Sequence, residues 1–223
     1  MHLVNDYMRS PVRLAFGSTL KPADNVRVQA FEVSGDRKQE MLQHLLGKET
    51  GRVLVFARTK RGTDKLARNL NREGFAAAVI HGDRSQSQRT AALTGFQQGR
   101  YRILIATDVA ARGIHVQDIA HVINYDLPEI AENFIHRVGR TGRAGKSGVA
   151  STLFGREQRS ELLLLERTLG IRMERMQADG SSFPERKERT TPVVHRFPLA
   201  SASGPISGMV RLPGEIMEVQ LDN

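Results

Sequence analysis

Apolar positions along the chain fall into short blocks separated by longer amphipathic stretches. Val26 to Val33 alternates in part and predicts a strand, and Asp36 opens a helix that carries Met41, Leu42, Leu45 and Leu46 and is closed by Gly47. Arg52 to Ala57 is an apolar run suited to a strand buried on both faces. Thr59 to Glu73 follows as a helix with Leu66 and Leu70 inside and Gly74 as its stop. Ala76 to Ile80 is the next strand, and Ser85 caps a helix bearing Ala92, Leu93 and Phe96 that Gly99 ends. The alternation continues through strands at Arg102 to Ala106, Ile119 to Tyr125 and Gly148 to Phe154, and through helices at Glu129 to Arg137 and Arg156 to Leu169.

Short apolar strands alternating with helices of about ten to fifteen residues predict an α/β fold, a parallel sheet with helices on both faces and right-handed crossovers. In such sheets ligands sit beyond the carboxyl ends of the strands. Thr59, His81-Gly82-Asp83 and Thr107-Asp108 each follow a predicted strand. Any one of them reads as helix capping, since Ser, Thr and Asp are common N-caps. Together they suggest one polar rim.

The pattern also divides the chain. Residues 1–25 open with a short helical pattern, Leu3, Val4, Tyr7 and Met8, halted by Pro11, and continue through Gly17, Ser18, Pro22 and Asn25, which reads as the end of another segment and a linker. Residues 26–176 form the α/β unit. Residues 177–223, with Pro184, Pro192, Pro198 and the run Ser201 to Gly208, carry no periodicity and predict an irregular or disordered tail.

Charge sharpens this division. The 223 residues carry a formal charge of +9, while the tail holds five basic and six acidic residues, so the excess of cations belongs to the first 176. A polyanion such as nucleic acid is then a plausible partner of the folded part and the tail is not a basic arm. The absence of cysteine excludes disulfides and thiolate metal sites. No apolar run is long enough for a signal peptide or a membrane span, which predicts a cytoplasmic protein without a membrane partner.

The densest candidate chemistry is His136 to Gly145, where Arg137, Arg140 and Arg143 recur every third residue among three glycines. Guanidinium forks match phosphate oxygens, and glycine lets backbone approach a ligand closely. The alternative is a solvated basic turn. Gly145-Lys146-Ser147 mimics the end of a phosphate-binding P-loop, but the glycine required five positions earlier is Arg140, and an apolar strand follows instead of a helix. That reading fails. His81, His115 and His136 are scattered and read as polar rim or core residues rather than metal ligands. Gln86 and Arg89, three apart, share one face of a helix's first turn near its positive end, which suits a phosphodiester or leaves a surface arginine. Ala106 to His115 sets a hydroxyl, a carboxylate and a guanidinium among small residues, as an interface or ligand loop would.

Residues 26 to 170 resemble the second, C-terminal RecA-like domain of DEAD-box RNA helicases. The resemblance rests on Val53 to Lys60 as motif IV, on His81-Gly82-Asp83 with Gln86 to Arg89 as motif IVa, on Ala106 to Gly113 as motif V, and on His136 to Arg143 as motif VI. Phe56 to Gly99 is most similar to the bacterial RhlE-like group. The resemblance implies an ATP-dependent RNA helicase in which this domain binds the RNA backbone through Thr59, Gln86, Arg89 and Thr107. It also implies that Arg140 and Arg143 reach the γ-phosphate of ATP, bound with Mg2+ mainly by a first RecA-like domain, with Arg143 as an arginine finger. Arg112, Gly113, His115, His136 and Arg137 would serve the nucleotide or the cleft between the domains, Arg112 by pairing with the first domain's acidic motif.

Two departures qualify the implication. The family usually has Asp where His115 stands, and a neutral imidazole can still hydrogen-bond a ribose hydroxyl, so only a modest change in nucleotide affinity is expected. The first domain's motifs are not in these residues, so the chain alone is not expected to hydrolyse ATP. Partners implied are RNA, the N-terminal RecA-like domain of the same protein, and proteins that dock on the tail. The alternative is a stand-alone non-catalytic module that binds RNA or protein, and the reading frame upstream discriminates the two.

Overall fold

Every second residue of the central strands points to the same side, and both sides are apolar. In strand β2 (Arg52–Phe56), Val53 and Val55 enter one core cluster while Leu54 and Phe56 enter the other. Strand β4 (Ile103–Ala106) repeats the arrangement, with Ile103 and Ile105 on one side and Leu104 and Ala106 on the other. A strand buried on both faces cannot alternate polar and apolar residues, which is why these runs read as continuous.

The computed structural model describes residues 21–111, 116, 118–143 and 145–176, together with the backbone of residues 210–212 and 215–217. In chain order the remaining elements are β1 (Val26–Glu32), α1 (Lys38–Lys48), α2 (Lys60–Arg72), β3 (Ala77–Ile80), α3 (Gln86–Gln97), α4 (Asp108–Ala111), β5 (Ile119–Asn124), α5 (Ala131–Val138), β6 (Gly148–Phe154), α6 (Arg159–Leu169) and β7 (Glu174–Met176). The seven strands form one sheet in the order β3-β4-β2-β5-β6-β1-β7, and every pairing is parallel. Helices α1 and α2 cover one face through Met41, Leu42, Leu45, Leu46, Leu66 and Leu70. The other face is covered by α3, α5 and α6 through Phe96, Phe134, Val138, Leu162, Leu165 and Leu169.

The chain runs outward from β2 to β3, comes back to β4 beside β2, and then passes β2 to reach β5 on its other side. The carboxyl end of β2 is therefore a topological switch point, where open α/β sheets leave a crevice.

Three elements differ from the sequence pattern. Helix α1 passes through Gly47 and ends at Lys48, because burial of Leu45 and Leu46 holds its last turn. Helix α4 and strand β7, of four and three residues, are too short to show a period. Residues 185–223 form a unit of their own. In it, β8 (Val210–Leu212) and β9 (Glu215–Met217) pair as an antiparallel ladder. Among the described residues no helix is long and apolar enough to cross a membrane.

Candidate functional site

The carboxyl ends of β2, β3, β4 and β5 deliver most of the polar residues singled out in the sequence. Thr59, directly after β2, is the N-cap of α2, and its Oγ1 accepts a hydrogen bond from the Gly62 backbone N–H at 3.0 Å. The capping reading is thus correct for Thr59, yet among the described residues the exposed hydroxyl donates its own O–H to no acceptor. Ser85 caps α3 in a full capping box with Gln88, which places Gln86 on the exposed first turn. Arg89 lies half-buried and its Nη2 donates to the Ala110 carbonyl at 3.3 Å, joining α3 to α4. Its Nε is buried with no hydrogen-bond partner among the described residues. Thr107 is buried between β4 and α4, and its carbonyl accepts from the Ala111 backbone N–H at 3.0 Å.

His81 is fixed in place rather than free. Buried at the end of β3, its Nε2 lies 3.2 Å from Asp64 Oδ1, and its Nδ1 accepts from the Asp83 backbone N–H. Asp64 also takes Arg84 Nη2 at 2.5 Å. Burial raises the Asp64 pKa, but the hydrogen bonds from His81 and Arg84 outweigh it and hold the carboxyl below its ordinary value.

The three arginines of the His136 to Gly145 run part ways. Arg137, in the last turn of α5, is only 3% exposed. Its Nε and Nη2 donate to the two carboxylate oxygens of Asp108 at 2.6 and 2.7 Å, and its Nη1 donates to Asn124 Oδ1 at 3.2 Å and to the Asp126 carbonyl at 2.7 Å. The guanidinium also stacks over Phe56, 5.1 Å from the ring centre. This side chain ties α5 to α4 and to the end of β5.

Arg140 and Arg143 come after the helix ends at Val138. Arg140 is partly buried and lines a shallow hollow with Phe56, Asp108, Ala111, Asn133, His136 and Arg137. Burial, and then the charge of Arg143, push the Arg140 guanidinium below its ordinary pKa. Arg143 is exposed, with its Nε donating to the Gly139 carbonyl at 2.8 Å. An anion beside these two cations would offset their mutual repulsion. His136 borders the same hollow from the exposed side of α5. Arg112, Gly113 and His115 lie outside the described residues.

The structure thus brings Arg137, Arg140 and His136 together around one hollow, leaves Arg143 exposed three residues beyond Arg140, and sets Thr59, Gln86, Arg89 and Thr107 along the neighbouring strand ends. Sequence reasoning missed Asn124 and Asp126. Asn124 is the polar residue that closes β5, and Asp126 takes the Arg58 backbone N–H on Oδ2 at 2.9 Å. Both stand at a strand end, the position that had marked the other rim residues.

A parallel sheet covered on both faces, with polar strand ends and an arginine pair at one crevice, defines a RecA-like domain. The model of the helicase conserved C-terminal domain matches residues 37–145. The chain is 42% identical over 171 residues to the DEAD-box ATP-dependent RNA helicase CshA of Geobacillus kaustophilus, covering 76% of this chain and 37% of that protein. Among solved structures, that of the E. coli DEAD-box protein SrmB bound to regulator of ribonuclease activity A matches with a TM-score of 0.65 and 32% identity, covering 67% of this chain and 89% of that one. The structure of S. cerevisiae Dbp5 bound to RNA and ADP BeF3 matches with a TM-score of 0.71 and 30% identity, covering 80% of this chain and 49% of that one. The chain belongs to the helicase C-terminal domain family of DEAD-box proteins. It spans about a third of the length of the curated relatives it matches.

Proposed function

We propose that this chain is the second RecA-like domain of an ATP-dependent DEAD-box RNA helicase, acting in the cytoplasm with a first domain that holds most of the nucleotide. The observation that carries the reading is Arg140, half-buried at the hollow, with burial and then the charge of the exposed Arg143 acting on its guanidinium. Guanidiniums so placed fit the terminal phosphate of ATP with its Mg2+, which supplies the phosphoryl group for transfer to water. In this reading Arg140 binds and orients that phosphate and Arg143 supplies the charge that stabilises its transfer. Arg137 does not reach out to nucleotide. It holds α5 and α4 in register through Asp108, so that the arginine pair starts from a rigid base.

The same rim would hold RNA. The O–H of Thr59, the exposed Gln86, the guanidinium of Arg89 and the strand-end Thr107 offer donors to a sugar-phosphate backbone without reading bases. That implies binding that is salt-dependent and little concerned with sequence. Arg112 and His115 are assigned to the cleft by resemblance alone.

The test uses this domain joined to its ATP-binding partner domain. Arg143→Lys should lower RNA-stimulated ATP hydrolysis by about 10³ to 10⁵ while RNA binding in the ATP state is largely kept. Undiminished hydrolysis would refute the finger role. Stimulation by DNA equal to that by RNA would refute the substrate assignment.

A further inference from the structure

Helix α2 carries a second basic feature that the rim does not use. Arg61, Lys65, Arg68 and Arg72 stand at i, i+4, i+7 and i+11, and all four are exposed. The opposite face, with Thr63, Leu66, Ala67 and Leu70, is buried against the sheet. The four cations therefore form one straight stripe roughly 16 Å long at the rise of an α-helix.

A charged helix face is ordinarily a solvated one, laced with acids of opposite sign. This one is not. Among the described residues none of the four has an acidic partner, whereas the adjacent Lys60 pairs with Asp83 and Arg84 with Asp64, both at 2.5 Å. Asp64, the one acid of α2, faces His81 and Arg84. The helix also has no acid in its first turn, so Arg61 sits unopposed at the positive end of the dipole. Cations repeated at i, i+3 and i+4 destabilise a helix, and that self-repulsion is relieved by a polyanion laid along it.

The stripe begins two residues after Thr59, where the rim begins. We propose that the outer face of α2 is a second phosphate track, which takes the sugar-phosphate backbone of an RNA segment flanking the one held at the rim. The proposal rests on the reading of the rim as an RNA site. Continuity with that rim, the single sign of charge and the even spacing favour a nucleic-acid backbone over an acidic protein surface.

The test measures fluorescence anisotropy of the full chain with unstructured RNAs of roughly six and roughly twenty nucleotides, each titrated with salt. In the wild type the longer RNA should bind more tightly and with a steeper salt dependence. The variant combining Arg61→Gln, Lys65→Gln, Arg68→Gln and Arg72→Gln should lose that advantage. Its log Kd against log salt slope on the longer RNA should fall by about 3, at ~0.7 for each phosphate that is no longer neutralised. Binding of the short RNA should stay within about twofold. The pairs Arg61→Gln with Lys65→Gln, and Arg68→Gln with Arg72→Gln, should each carry about half the change, so the result does not hang on one heavily substituted chain. Replacing the three stripe arginines by lysine should preserve it. An unchanged slope and length advantage in the glutamine variants overturns the track, and loss in the lysine variant overturns its electrostatic basis. Failure of the rim reading shows separately, as short-RNA affinity that Gln86→Ala and Arg89→Ala leave untouched.

Discussion

Removing the Arg137 side chain should damage the fold more than removing either of the other arginines of its run. In Arg137→Ala the Asp108 carboxylate, whose side chain is 28% exposed, loses both of its guanidinium bonds. Breaking a buried ion pair from one side costs about 3 to 5 kcal/mol, and partial access of water to Asp108 argues for the lower end. The Asn124 amide oxygen and the Asp126 carbonyl also lose a donor, at about 1 kcal/mol together once water reaches the space left. The expected loss is about 4 kcal/mol, or a fall of about 8 to 16 °C in Tm for a domain of this size. Arg143→Ala, which removes one bond from an exposed side chain, should stay within about 0.5 kcal/mol. Urea and thermal unfolding of the chain, followed by circular dichroism, measure both. A double-mutant cycle with Asp108→Asn should show strong coupling, because either single change already breaks the pair. Equal stability losses for Arg137→Ala and Arg143→Ala would refute the division of labour drawn between them.

Two further perturbations concern a buried histidine and the glycines of the arginine run. His121, buried with its Nε2 2.8 Å from Ser151 Oγ, has its pKa lowered to about 4 by burial, only partly offset by Glu49. The unfolded chain takes up this proton near pH ~6.5 and the folded one only near 4, so the stability present above ~6.5 should fall by roughly 3 kcal/mol as pH drops to 4. Urea midpoints across that range should show a weaker acid dependence in His121→Gln, and an identical one would refute the assignment. Gly142 has φ +68, and a Cβ there would lie 2.3 Å from Val26 Cγ2. Gly142→Ala should therefore cost about 2 to 4 kcal/mol, combining backbone strain with overpacking. Gly145, at φ +77 with nothing within 4 Å, should cost only about 1 to 2 kcal/mol on the same change, and equal unfolding midpoints would remove the packing argument.

Much of this fold could be read from the chain. Runs such as Val53 to Phe56 announced strands buried on both faces, and the residue after each strand marked the rim. Strand order could not be read, because the placement of β1 between β6 and β7 depends on pairings across more than a hundred residues. Arg137, Arg140 and Arg143 looked equivalent by their regular spacing. Yet Phe134, Arg137 and Val138 share the buried face of α5, and an arginine on an apolar stripe is a sign of internal pairing. That signal was present and overridden by the motif. The acceptors Asn124 and Asp126 carried a weaker signal, since one polar residue at a strand end is also an ordinary turn former.

The fate of Arg137 explains how two assigned binding surfaces can share one frame. Asp108 follows Thr107, whose backbone belongs to the rim assigned to RNA, and Arg137 precedes Arg140 and Arg143, assigned to nucleotide. Among the described residues, the bidentate pair between Asp108 and Arg137 is a direct side-chain link between these two segments. A displacement of α4 by a ligand at the rim cannot then leave α5 behind without breaking two charge-assisted hydrogen bonds around a buried guanidinium. On the proposed function, that pair would carry coupling between the RNA and nucleotide surfaces. Asp108→Asn in the two-domain protein should therefore weaken RNA stimulation of hydrolysis more than it weakens hydrolysis without RNA. Equal losses in both would mean that the pair only supports the fold.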